Sequence, residues 1–274
     1  MFPASEAKNN NHRQVIMRQQ SKEKVIVRGR AIGGPLPLIC LPLVAKNSDS
    51  LLRQANELIH MQPDLLEWRI DDYQKVTAVT DCLAVLEELR TVIADIPLIF
   101  TCRIDREGGL QKIPQEKRLE LISAAMASGK VDIVDIGLCN EKDFIETVRK
   151  KAAANGVKLI LSHHNFSETP TGEFIYTTLV KAQEMGADIA KLAAMPNDYT
   201  DVLTLMSATN KARNEVVDVP MVTISMGPQG KITRLAGGLF GSDITFAVGR
   251  ESSAPGQIPI NELRTGMALL YGAD

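Results

Sequence analysis

The sequence predicts an α/β fold of the (β/α)8 TIM-barrel type, with an N-terminal β-hairpin closing the barrel bottom. Between residues 38 and 274, eight short apolar runs alternate with eight helical stretches. The runs are continuously apolar rather than alternating, as parallel strands covered on both faces are. Charged and polar residues collect just after these runs, where the mouth of such a barrel lies. A doubly wound open sheet is the alternative, but no GxGxxG opens the first unit. No linker rich in Gly, Pro or Ser interrupts the repeat, so residues 25–274 read as one barrel domain.

The elements follow in order. Val25–Gly34 reads as a short hairpin. Leu38–Val44 is the first buried strand, and Ser48–Met61 the first helix, with Ser48 as its cap. Asp64–Ile70 and Tyr73–Thr91 form the second unit, Pro97–Arg103 and Pro114–Ser128 the third. Val131–Gly137 precedes the helix Glu141–Asn155, which Gly156 stops. Val157–His163 precedes Thr171–Met185, stopped by Gly186. Asp188–Ala194 with Asp198–Asn214, and Pro220–Met226 with a short helix near Lys231–Gly237, make units six and seven. Asp243–Val248 and Ile260–Tyr271 close the repeat.

Composition narrows the classes of function. The net charge is −2 and aromatic residues make up 4%, so neither nucleic acid nor an anionic membrane is an expected partner. Residues 1–30 concentrate seven Lys/Arg against two acids, and 1–24 read as a basic, solvated extension. This head has no apolar core of a secretory signal, and the longest apolar run is too short and proline-rich to span a bilayer. The four cysteines show neither zinc-knuckle nor CxxC spacing, which suits a reduced, cytoplasmic protein.

The strand ends carry the chemistry. The second strand ends in Glu67-Trp68-Arg69, whose charged members share one side. Arg103 ends the third strand, with Glu107 beyond it; Asp135 lies in the fourth. His163-His164 end the fifth and point to opposite faces, so one faces the interior. Lys191 is the sole cation of Ala187–Ala194. Met226 and Arg234 follow at the seventh strand, and Ser253 to Gln257 lie after the eighth. Each has an ordinary explanation: a strand-end lysine meeting a carboxylate, a structural ion pair at Glu67 and Arg69, a salt-bridged loop at Arg103 and Glu107, a hydrogen-bonded structural histidine, a surface Arg234. Together they make a different pattern. Burial disfavours a charged amine, and a neutral amine attacks carbonyls. A lysine, a histidine and orienting carboxylates compose a Schiff-base acid/base site. Arginines around it suit an anionic substrate. HxH and HExxH spacings are absent, so no metal is expected.

The ordered set resembles the type I 3-dehydroquinate dehydratases. It comprises Glu67-Trp68-Arg69, Thr101-Cys102-Arg103 with Glu107-Gly108-Gly109, Val131–Asp135, Ser162–Phe166 with Thr169-Pro170, Ala187–Lys191, Ser225-Met226-Gly227, Arg234–Gly237 and Ser253–Gln257, across residues 38–274. The resemblance implies dehydration of 3-dehydroquinate to 3-dehydroshikimate, in the shikimate pathway of aromatic amino acid biosynthesis, with no cofactor. It implies Lys191, His164 and Glu107 as catalytic, with Lys191 forming the imine and His164 moving the proton. Glu67, Arg69, Arg103, Arg234, Ser253 and Gln257 would bind substrate. Asp135, Phe166 and Met226 would support the site, and Ser253–Gln257 would act as a mobile lid. It also implies a homodimer.

Two positions depart from the family's pattern. Many members carry a glutamate where this chain has Gly137, and often Ser or Cys where it has Pro42. Two other readings compete: a class I aldolase acting on a phosphorylated sugar, with Met226–Gly230 holding phosphate, and a catalytically dead barrel used as a scaffold.

Overall fold

The computed structural model describes residues 18–249 and 254–272. Strands β1 (Val25–Val27) and β2 (Arg30–Ile32) form an antiparallel hairpin. The barrel strands are β3 (Leu38–Leu43), β4 (Leu65–Arg69), β5 (Leu98–Thr101), β6 (Ile133–Gly137), β7 (Lys158–Asn165), β8 (Ile189–Ala194), β9 (Met221–Ser225) and β10 (Ile244–Phe246). They pair in parallel, in sequence from β3 to β9, with β10 beside β3. A bridge between Met221 and Ser242 links β9 to the approach of β10 and completes the ring. The helices between them are α1 (Ser48–Ile59), α2 (Val79–Ile93), α3 (Gln115–Ala127), α4 (Lys142–Ala154), α5 (Gly172–Glu184), α6 (Tyr199–Glu215), α7 (Lys231–Ala236) and α8 (Ile260–Tyr271). This is the barrel that the sequence predicts.

Strand alternation divides the core in two. Outward residues such as Leu41, Leu66, Trp68, Phe100, Val134, Leu161 and Leu192 pack under the helices. Inward residues Cys40, Leu65, Ile99, Ile133, Ile160, Ile189, Val222 and Ile244 fill the lower barrel, and Val25, Val27 and Ile32 of the hairpin pack onto them. The hairpin thus plugs the end opposite the mouth. Acidic residues at that end serve the backbone. Asp64, Asp132, Asp188 and Asp243 accept from the amides of Ile39, Leu98, Leu159 and Met221, each the first or second residue of its strand.

Several boundaries move. The cap of α1 is Asn47, whose side chain accepts from Ser50 N, rather than Ser48. Helix α2 begins at Val79, not Tyr73, because Ile70–Asp72 first makes a 3-10 turn that drives Asp71 inward. β5 stops at Thr101 and β10 at Phe246, so Arg103 and Val248 lie in loops. The basic segment also changes meaning. Arg18 is buried in an ion pair with Asp243, and Ser21 is buried too, so residues 18–24 are not a purely solvated extension. Residues 1–17 of that expectation lie outside the described residues.

Candidate active site

Above the apolar floor, the inward positions of the central strands are polar. Two residues beyond Leu65, Ile99, Ile133, Ile160 and Ile189 stand Glu67, Thr101, Asp135, Ser162 and Lys191, and the period of two aims them all at the axis. Lys191 is only 5% exposed. Its Nζ donates to Asp135 Oδ2 at 2.8 Å, lies 3.6 Å from Glu67 Oε1, and sits over the Phe246 ring at 4.6 Å. The sequence sets this amine among apolar neighbours; the structure turns it onto two carboxylates.

Asp135 is the hub. It is fully buried, and its Oδ2 also meets Arg103 Nη2 at 2.8 Å. Ser162 Oγ donates to Oδ1 at 2.6 Å and accepts from Arg103 Nη1 at 2.6 Å. Burial opposes its charge, but the cations Arg103 and Lys191 prevail and hold the carboxyl well below the usual carboxylate range. Thr101 Oγ1 donates to Glu67 Oε1 at 2.8 Å and fixes the second carboxylate.

The upper layer faces the opening. His164 is on the inner side of β7, and its Nδ1 lies 3.7 Å from Glu107 Oε2. Burial, then the nearby Arg103 and Lys191 charges, lower its pKa to about 3 against the pull of Glu107. The imidazole is therefore neutral at pH 7 and can accept a proton. His163 points the other way, toward the Phe174 ring on α5. Burial also opposes ionisation of Glu107, but His164 and Arg103 lower its pKa overall. Phe166 stacks on His164 with centroids 6.4 Å apart.

Arg69 is held by Asp71 through Nε at 2.9 Å and Nη2 at 2.8 Å, and also donates to Gly108 O. Arg234 differs from the other arginines at the mouth. It is 3% exposed and, among the described residues, donates only to backbone carbonyls, Phe246 O at 3.2 Å and Pro255 O at 3.1 Å. No carboxylate among the described residues pairs with it, and burial lowers its pKa to about 10. A buried guanidinium without an acid is a ready site for an anionic ligand.

Glu67, Arg69, Arg103, Glu107, His164, Phe166, Lys191, Met226, Arg234 and Gln257 all line one cavity of about 250 Å³, roofed by Ala254 and Gln257. Asp135 stands behind Lys191, outside the lining. Ser253 lies outside the described residues. Pro42 is in register with Glu67, but Val44, just after β3, is the residue that lines the cavity there. Sequence reasoning missed Asp71, Thr101, Ser162 and Phe246 as parts of the site. For Thr101 and Ser162 the signal was available, since each precedes a chosen residue by two on the inner face. Asp71 gave no strand signal, because only the 3-10 turn brings it inward.

Comparison with known proteins decides the family. A sequence model of type I 3-dehydroquinase matches residues 39–274. The chain belongs to the type I 3-dehydroquinase family. A 3-dehydroquinate dehydratase of Geobacillus thermodenitrificans is 43% identical over 252 residues, 91% of this chain and 97% of that protein. The crystal structure of the 3-dehydroquinate dehydratase from Geobacillus kaustophilus has a TM-score of 0.89 at 43% identity, covering 93% of this chain and 98% of that one. A Clostridium difficile type I 3-dehydroquinate dehydratase, solved with covalently modified comenic acid, also scores 0.89 at 39% identity, covering 91% and 98%. Membership makes the chain a hydro-lyase and displaces the aldolase and scaffold readings. No helix of the described residues is long and apolar enough to cross a membrane.

Proposed function

We propose that this cavity dehydrates 3-dehydroquinate to 3-dehydroshikimate through an imine on Lys191, as a step of the shikimate pathway. The observation that carries the proposal is the convergence on one cavity of buried Lys191, neutral His164 and an Arg234 with no acidic partner among the described residues. Arg234 takes the substrate carboxylate and so fixes the ring. Lys191 Nζ attacks the ketone carbon, and water leaves to give the iminium. The iminium accepts electrons, so the adjacent C–H becomes acidic without a metal. His164 removes that proton, then returns it to the hydroxyl departing as water. Asp135 and Glu67 aim the amine, and Glu107 orients His164. Water then hydrolyses the imine, releasing product and Lys191. Phe166, Met226 and the Ala254–Gln257 roof limit solvent access to the intermediate.

Borohydride reduction during turnover, followed by peptide mass mapping, tests the reading. The adduct is expected on Lys191 and not on Lys158 or Lys181. His164→Ala should still form the adduct while turning over ~10²–10⁴-fold more slowly, the usual loss for a missing acid/base. An unmodified Lys191 in active protein would sink the mechanism.

A further inference from the structure

Glu107 has a second imidazole beside it that the reaction above does not use. Its Oε2 faces His164 Nδ1 at 3.7 Å, and its Oε1 faces His163 Nδ1 at 3.8 Å. Both oxygens are buried without a hydrogen bond of normal geometry. A buried acceptor left in this way is costly, and the two imidazoles are donors placed one to each oxygen. Room for the carboxylate comes from Gly137. A Cβ there would stand 2.7 Å from Glu107 Oε2 and 3.1 Å from Cys139 Sγ. On its far side His163 packs against Phe174, with centroids 5.4 Å apart, and borders a groove with Thr177 and Lys181 outside the barrel. Two groups compete for Glu107: Arg103, whose Nη1 lies 3.8 Å from Oε2, and the Cys139 thiol, a weak donor that hydrogen-bonds the carboxylate.

We propose that His163 is a positioning residue: its Nδ1–H holds Glu107 Oε1, which aims Oε2 at His164 against the pull of Arg103. Gly137 is the second half of the device, because it leaves the carboxylate the place between the two rings. Both gaps are somewhat longer than hydrogen bonds, and catalytic contacts of this kind tighten when substrate closes the site. The proposal rests on the reading of His164 as the acid/base. It gives Gly137 a physical role, since the absence of a side chain there is what lets one carboxylate serve two histidines.

The test uses four variants of the full chain. His163→Phe keeps the ring packed on Phe174 but removes the donor. Its kcat should fall about tenfold, the size of one net hydrogen bond, with KM unchanged and the borohydride adduct on Lys191 intact. His163→Asn carries an amide N–H near the position of Nδ1 and should restore most of the rate. Gly137→Ala displaces the carboxylate directly and should lose kcat to a similar degree, and the double variant His163→Phe/Gly137→Ala should lose little more than either alone. Wild-type kcat in His163→Phe, equal loss in His163→Asn, or multiplying losses in the double variant would each overturn the proposal. Failure of the underlying reading shows separately, as undiminished turnover in His164→Ala or no adduct on Lys191 in the wild-type chain.

Discussion

Replacing Arg234 by methionine should separate binding from stability. The guanidinium is buried and has no acidic partner among the described residues, and burial lowers its pKa from 12.5 to about 10. At ~1.4 kcal/mol per pKa unit, holding this charge costs the folded protein roughly 3 kcal/mol. Methionine removes that cost and keeps most of the volume. It also leaves Phe246 O and Pro255 O without their donor, a loss of about 1 kcal/mol each. The net expectation is an unliganded variant as stable as the parent or about 1 kcal/mol more so, a Tm rise of roughly 2–4 °C at most. Substrate binding should move the other way. Removing one partner of a buried charge pair costs about 2–5 kcal/mol, so KM should rise by roughly 30- to 1000-fold or more. Because the carboxylate is remote from the bonds that break, kcat should change much less. Thermal melts without ligand and steady-state kinetics with 3-dehydroquinate measure both halves. An unchanged KM would refute the assignment of Arg234 to the carboxylate. A Tm lowered by many degrees would refute the claim that its charge is uncompensated.

Two further outcomes follow from the charges of the cavity. Because the folded pKa of His164 is lowered from 6.5 to about 3, the unfolded chain binds this proton first; its contribution to stability is therefore undiminished above about pH 6.5 and erodes as pH falls from about 6.5 toward 3. Urea melts from pH 7 to 4 should show a shallower decline for His164→Ala than for the parent, and equal declines would contradict the depressed imidazole. Asp71→Asn should destabilise the protein by about 3–5 kcal/mol and raise KM, because Arg69 loses its bidentate partner and the amides of Arg103 and Leu110 lose an anionic acceptor; a stability loss under 1 kcal/mol would show that Asp71 does not set the mouth.

The barrel was legible in the sequence for a simple reason. Strands covered on both faces must be continuously apolar, and helices must repeat on a different period, so each unit declares itself locally. The mouth was legible because polar residues at strand ends cannot be explained by the core. Glu67, Arg103, His164, Lys191 and Arg234 could all be named before any coordinates. Boundaries were less secure: Ser48 rather than Asn47 looked like the cap, and Tyr73 looked helical when it follows a 3-10 turn.

What the sequence by itself determined was the set of strands and the residue types at the mouth. These follow from local periodicity. Only the tertiary structure decided which charges meet. Lys191 and Asp135 are 56 residues apart in the chain, and their 2.8 Å contact depends on the register of β6, β7 and β8. The same is true of the burial of Arg234 and of the place of Glu107 between two imidazoles. Pair distances and desolvation are set by the closure of the whole ring, and they fix the protonation of each group, which no single stretch of sequence can do.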